Sequence, residues 1–144
     1  MDVSEAQATW GLFLRVHAQL VRRMDGTLRA TVGIPLAWYD ALFHVDRAPD
    51  GRLRLQELES AVFLSQSGVS RLAARLEREG LLARSVADDD RRGVEVSLTP
   101  AGAELLRRAR LVQRAQIGEL FADRLPPAEL RAMRTALARL DQEL

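Results

Sequence analysis

The sequence predicts a mainly α-helical protein with one small β-hairpin. Three observations carry that reading. Apolar residues recur at steps of three and four through most of the chain, the helical period. From Leu81 to Leu98 the pattern changes to two short alternating runs around a charged tip, "ADDDRR". Thr99-Pro100 follows at once and is a strong helix start, a hydroxyl cap ahead of the residue best tolerated at the first helical position.

The elements follow in order. Val3, Ala6, Trp10, Phe13, His17, Leu20, Met24 and Leu28 form one stripe of a long first helix. Thr31-Val32-Gly33-Ile34-Pro35 breaks it. "LAWYDALFHV" predicts a second helix from Leu36 to Val45, closed by the turn "RAPDG". "RLRLQELESAVFL" gives a short extended entry and then a helix whose Leu55, Leu58, Ala61 and Val62 face inward. Ser65 or Ser67 can cap the next helix, and Gly80 is a natural stop for it. "LLARSV" and "GVEVSL" are the two strands. The helix opened by Thr99-Pro100 is expected to run to about Arg124, and Pro126-Pro127 starts the last one. There Leu130, Met133, Leu137, Leu140 and Leu144 make a heptad-like seam.

A chain of 144 residues is one domain, and 47% hydrophobic residues suffice for a packed core. The net charge of +1 does not make the molecule basic overall, so a nucleic-acid role needs locally placed charge. All 21 basic residues are arginine, which suits forked recognition of phosphate and guanine, although a coding bias explains the lack of lysine equally well. With no cysteine there is no disulfide, thiolate metal site or cysteine redox switch. The N-terminus lacks a signal pattern and no apolar run is long enough to span a bilayer, so a cytoplasmic protein without membrane partners is expected. No cofactor is predicted. His17 and His44 make a poor zinc pair, and the acids at 88 to 90 lack the phosphate cradle or base that a magnesium site would have beside it. No nucleophile, base and oxyanion arrangement is identifiable, so no enzyme is predicted.

In "QSGVSRLAARLERE", Val69, Leu72, Ala73 and Leu76 share one face, and Ser67, Arg71, Ala74, Arg75 and Arg78 share the opposite one. One face can pack on the preceding helix while the other enters a major groove, which is about 12 Å wide and admits one helix. Gln66, Ser67, Ser70 and Arg71 would approach base edges first; Arg75 and Arg78 are better placed for phosphates. A solvated arginine face would look the same on this helix alone. The order around it decides: helix, turn, helix and hairpin make a winged helix-turn-helix.

The run "GLLARSVADDDRRGVEVSLTPAG" resembles the wing signature of the multiple antibiotic resistance regulator (MarR) family of bacterial transcription factors. The matching residues are Gly80-Leu81, Asp90-Arg91-Arg92, Leu98-Thr99 and Gly102, and "LSQSGVSRLAARLEREG" is similar to the family's recognition helix. The resemblance covers essentially the whole chain. It implies residues 1-34 and 100-144 as dimerisation helices around a DNA-binding lobe of residues 35-99. It also implies a homodimer on a palindromic operator of double-stranded DNA, most simply a repressor. Arg92 takes the position of the family's minor-groove arginine and Asp90 that of the aspartate bracing it. Asp88 and Asp89, which phosphate would repel, are expected on the solvent side of the tip. Small aromatic effectors are common in the family, and the candidates here are Trp10, Phe13, His17, Trp38, Tyr39 and His44. For His17, Trp10 and Trp38 the plainer expectation is a place in the core, and the seam of the last helix can equally pack within its own chain. A second reading stays open, a winged-helix module that binds another protein and no DNA.

Overall fold

The computed structural model of the chain describes residues 2–62, 66–86 and 93–143, and leaves out the side chains of Gln66 and Ser67. Among the described residues the elements are α1 (Val3–Thr31), α2 (Leu36–Arg47), β1 (Arg52–Arg54), α3 (Leu55–Val62), α4 (Gln66–Arg78), β2 (Leu82–Val86), β3 (Val94–Leu98), α5 (Pro100–Leu120) and α6 (Pro127–Glu143). This is the predicted order, with one addition. The extended entry at Arg52 pairs antiparallel with β3, Leu53 opposite Val96, so the sheet has three strands in the order β1-β3-β2. A strand of three residues is too short for periodicity to reveal.

α1 starts where Asp2 accepts the Ser4 N–H at 2.9 Å, an N-cap made by the side chain. At its far end the N–H groups of Val32 and Gly33 both reach the Leu28 carbonyl, at 2.9 and 3.0 Å. Gly33 sits at φ +82°, which a residue with a Cβ rarely adopts, and the chain reverses there. Pro35 then occupies the N-cap of α2 with no side chain to cap the helix. The acceptor comes from α1 instead: Asp25 Oδ1 accepts the Leu36 N–H at 2.8 Å, and its Oδ2 accepts from Arg29 Nε at 2.7 Å. The Arg29 bond, and then the Leu36 N–H, hold the Asp25 carboxyl below its ordinary range.

Two ends differ from expectation. α4 begins at Gln66, so Ser67 lies inside the first turn and does not cap it, while Ser65 lies outside the described residues. α5 stops at Leu120, ahead of Arg124, because Phe121 leaves helical geometry at φ −132°, ψ −64°. A short 3₁₀ turn, Ala122–Arg124, leads from there to the prolines.

The main core joins α2, α3, α4, the sheet and α5 through Leu42, Val45, Leu58, Val69, Leu76, Val96 and Leu106, all at most 2% exposed. Trp38 packs against it, as expected of a core aromatic, and also against a smaller cluster of Leu28, Ile34 and Ala109 that joins α1 to α5. Leu28 is the one buried residue among the 29 of α1, and α6 buries none of its described residues.

The glycine-leucine and Leu-Thr-Pro-Ala-Gly segments turn out to be two halves of one junction. Gly80, at φ +73°, ends α4 in a Schellman arrangement, with its N–H on Glu77 and the Leu81 N–H on Leu76, each at 2.9 Å. Across from it the Thr99 N–H donates to the Leu81 carbonyl at 3.1 Å and the Thr99 hydroxyl donates to the Gly80 carbonyl. That hydroxyl in turn accepts the Gly102 N–H at 3.0 Å, capping α5. Gly102 lies so close that a Cβ there would overlap the Leu81 carbonyl oxygen. The junction fastens the end of α4, both strand roots and the start of α5 together.

Candidate nucleic-acid interface

The candidate interface is built on α3 and α4. Glu57, in the first turn of α3, reaches back to accept the Arg54 N–H at 3.0 Å, half of a capping box that fixes where α3 starts. α4 then seats Val69, Ala73 and Leu76 inward, each at most 1% exposed. Its other side presents Ser70, Arg71, Arg75 and Arg78 to solvent. The facing expected from periodicity is therefore observed for Val69, Ala73, Leu76, Arg71, Arg75 and Arg78, while Leu72 and Ala74 are half-buried at the flanks. Gln66 and Ser67 stand in the first turn, their side chains outside the described residues.

β2 leaves the body of the protein. Only Leu82 at its root is buried, Ala83 to Val86 are exposed, and Val86 is 61% exposed opposite Val94. β2 is thus an edge strand with solvent on both faces, while β3 beside it keeps Val96 buried; together they form the wing. Its tip, with Asp88, Asp89, Asp90, Arg91 and Arg92, lies outside the described residues.

One contact that periodicity cannot supply ties helix to wing, and others tie the helix to itself and to α2. Arg84 of β2 pairs with Glu77 of α4 at 3.2 Å. Arg75 pairs with Glu79 at 3.0 Å, and its guanidinium lies 6.0 Å from the Trp38 ring. Arg75 is thus tethered at two points, and phosphate would have to compete with Glu79 for it. The i, i+4 spacing of Arg75 and Glu79 is visible in the sequence; the Arg84 pairing is not, because it crosses between elements.

The six effector candidates fall into two groups. On α1, Trp10, Phe13 and His17 stack in series, with ring centroids 6.0 and 6.4 Å apart. Trp10 and His17 are exposed in the chain, contrary to their expected core places, because among the described residues no buried core forms along this half of α1. Trp10 and Phe13 line an apolar groove of about 920 Å³ with Phe121, Leu130, Met133 and Leu137. On α2, Trp38 and Tyr39 are half-buried between the two cores, and His44 meets Phe43 edge-on at 5.6 Å. Phe43 also lies 5.3 Å from the guanidinium of Arg110, which is fixed by Asp46 at 2.7 Å. Burial raises the Tyr39 phenol above its ordinary value, against the nearby charge of Arg110.

Among the described residues no group of three or more His, Cys, Asp or Glu could hold a metal, and no helix is long and apolar enough to cross a membrane.

Comparison with known proteins gives a consistent result. The sequence profile of the MarR family matches residues 32–93. The chain is 29% identical over 96 residues to the transcriptional repressor MprA of Escherichia coli K12, covering 67% of this chain and 54% of that protein. It spans about half the length of the curated relatives it matches. Sco3205, a MarR family transcriptional regulator from Streptomyces coelicolor solved in complex with DNA, is 27% identical, with a TM-score of 0.90 over 100% of this chain and 91% of its own. BpsR of Bordetella bronchiseptica is 26% identical, with a TM-score of 0.78 over 91% of each chain; its structure concerns regulation of its DNA binding by 6-hydroxynicotinic acid.

Proposed function

From its likeness to the MarR family, we propose that this chain is a member of it and a transcriptional regulator that binds double-stranded DNA as a homodimer on a palindromic operator and acts as a repressor. The observation that carries the proposal is α4: its apolar face is locked into the core, and Ser70, Arg71 and Arg78 are exposed beside a projecting two-stranded ribbon. The likeness to Sco3205 and the repressor name of MprA support it.

In this reading Gln66, Ser67, Ser70 and Arg71 meet base edges, Arg78 and the tethered Arg75 meet phosphates, and Arg92, braced by Asp90 beside Arg91, enters the minor groove. The uncovered faces of α1 and α6 are where a second copy seats, Trp10 at 62% exposed and Leu140 at 55% among them. Two-fold symmetry then sets the two α4 helices in successive major grooves, about 34–36 Å apart. An aromatic effector held by Trp10, Phe13 and His17, or by Trp38, Tyr39 and His44, would act by favouring a separation of the two heads that does not fit DNA. Such a regulator works in the cytoplasm, where its operator is.

Fluorescence anisotropy with random-sequence duplex at low salt tests the first step. Binding should appear and weaken steeply as salt rises, because phosphate contacts release counterions. Complete absence of binding would sink the proposal and favour a module that recognises another protein.

A further inference from the structure

α2 has no cap of its own, and the group that caps it belongs to a different helix. Asp25 lies nearly two turns before the end of α1, yet its two oxygens are both engaged, one by the first N–H of α2 at 2.8 Å and the other by Arg29 at 2.7 Å. A carboxylate on a helix N-terminus is a charge-assisted bond aligned with the dipole of that helix. Val32 and Gly33 close α1 onto the Leu28 carbonyl, Gly33 reverses the chain in the left-handed region, and Pro35, its φ fixed, offers no donor that would tie α2 back to α1. Leu28 and Ile34 pack beneath it but fix distance better than angle, because apolar contact is not directional. α2 is the hub of the lobe, in one core with α3, α4, the sheet and α5.

We infer that Asp25 is a positioning residue that sets the angle between α1 and the α3–α4 head, and through it the half-site spacing that a dimer accepts. The inference rests on the DNA-binding reading above. Leverage makes the angle matter. The 12 residues of α2 span about 18 Å, so a rotation of about 10° at the joint moves their far end by about 3 Å. That is close to the rise of one base pair, about 3.4 Å.

The test uses a duplex enriched from a random pool by the parent protein, with versions lengthened and shortened by one base pair at the centre. The parent should lose about tenfold or more on either altered duplex, the size of loss that one mismatched pair brings. Asp25→Ala should flatten that dependence to within about threefold, whereas Asp25→Asn, whose amide oxygen still accepts the Leu36 N–H, should keep it. A variant that is merely less stable would lose affinity for all three duplexes by one common factor. Asp25→Leu replaces the alanine variant should that one prove unfolded by circular dichroism. Full spacing dependence in the variant lacking the acceptor, or its loss in Asp25→Asn, overturns the joint alone. A parent that enriches no duplex overturns the DNA-binding reading and the joint with it.

Discussion

Adding a single methyl group at Gly102 should unlock the junction between α4, the wing and α5. A Cβ there would overlap the Leu81 carbonyl oxygen and come within 3.0 and 3.3 Å of Leu81 C and Cα. These are backbone atoms of the turn that ends α4, so no flexible side chain can give way. Relief requires the first turn of α5 to move by on the order of 1 Å to regain van der Waals separation. Overpacking of this kind costs about 1–3 kcal/mol. The shift also stretches the two bonds from Thr99 to Gly80 and Leu81, each worth about 1 kcal/mol net. Alanine returns about 1 kcal/mol through helix propensity, which leaves Gly102→Ala about 3 kcal/mol less stable. With about 2.1 cal/mol/K of unfolding entropy per residue over 144 residues, the melting temperature should fall by about 10 °C. Urea and thermal unfolding, followed by circular dichroism at one fixed protomer concentration, measure both quantities. Gly26→Ala in α1 is the control: nothing lies within 4 Å of its Cβ, so it should gain about 0.5–1 kcal/mol. If Gly102→Ala matched the parent, the physical account of the Leu-Thr-Pro-Ala-Gly segment given above would be wrong.

Arg92→Ala should weaken binding to an enriched operator about tenfold or more while leaving fold and dimer intact; an unchanged gel-shift titration would remove the wing from the DNA-binding argument. Arg71→Ala should relax preference at one base position, and a uniform loss across sequences would make that arginine a phosphate contact. Leu137→Arg places a charge on the exposed apolar seam of α6 and should yield monomers in sedimentation velocity; a variant that stays dimeric would show that the two copies meet elsewhere. Burial raises the Asp40 carboxyl above its ordinary value, with His44 acting in the opposite sense. A folded-state pKa above the unfolded one is favourable below the unfolded carboxylate range and loses that contribution as pH rises through the raised value. Asp40→Asn should therefore be more stable than the parent at neutral pH, with the difference closing in acid, and urea midpoints at the two pH values decide it.

Periodicity and caps carried most of the fold. The inward set Val69, Leu72, Ala73 and Leu76 was readable because a packed helix repeats its apolar positions, and Thr99 because a hydroxyl before a proline has few other uses. The third strand was not readable as one: Arg52-Leu53-Arg54 alternates over only three residues, and β3, which pairs with it, lies more than forty positions away. Trp10 and His17 were misplaced for a related reason. Their stripe is apolar, but an apolar stripe does not say whether its own chain or another covers it. The ties Arg84 to Glu77 and Asp25 to Leu36 cross between elements, and spacing along one helix cannot show where two helices meet.

The uneven burial of α1 has a further consequence. Short isolated helices are marginal in water, and ordering is sustained mainly by packing. Leu28, the buried residue of α1, lies beyond its first five turns, and α6 buries none of its described residues, so in the proposed dimer these are the segments with least to lose by fraying when protomers are scarce. Dilution should thus loosen the scaffold before it disturbs the head, and proteolytic nicks in a dilute sample should collect ahead of Leu28 and in α6. In the proposed dimer the protein's own abundance would then set how much of the scaffold is ordered.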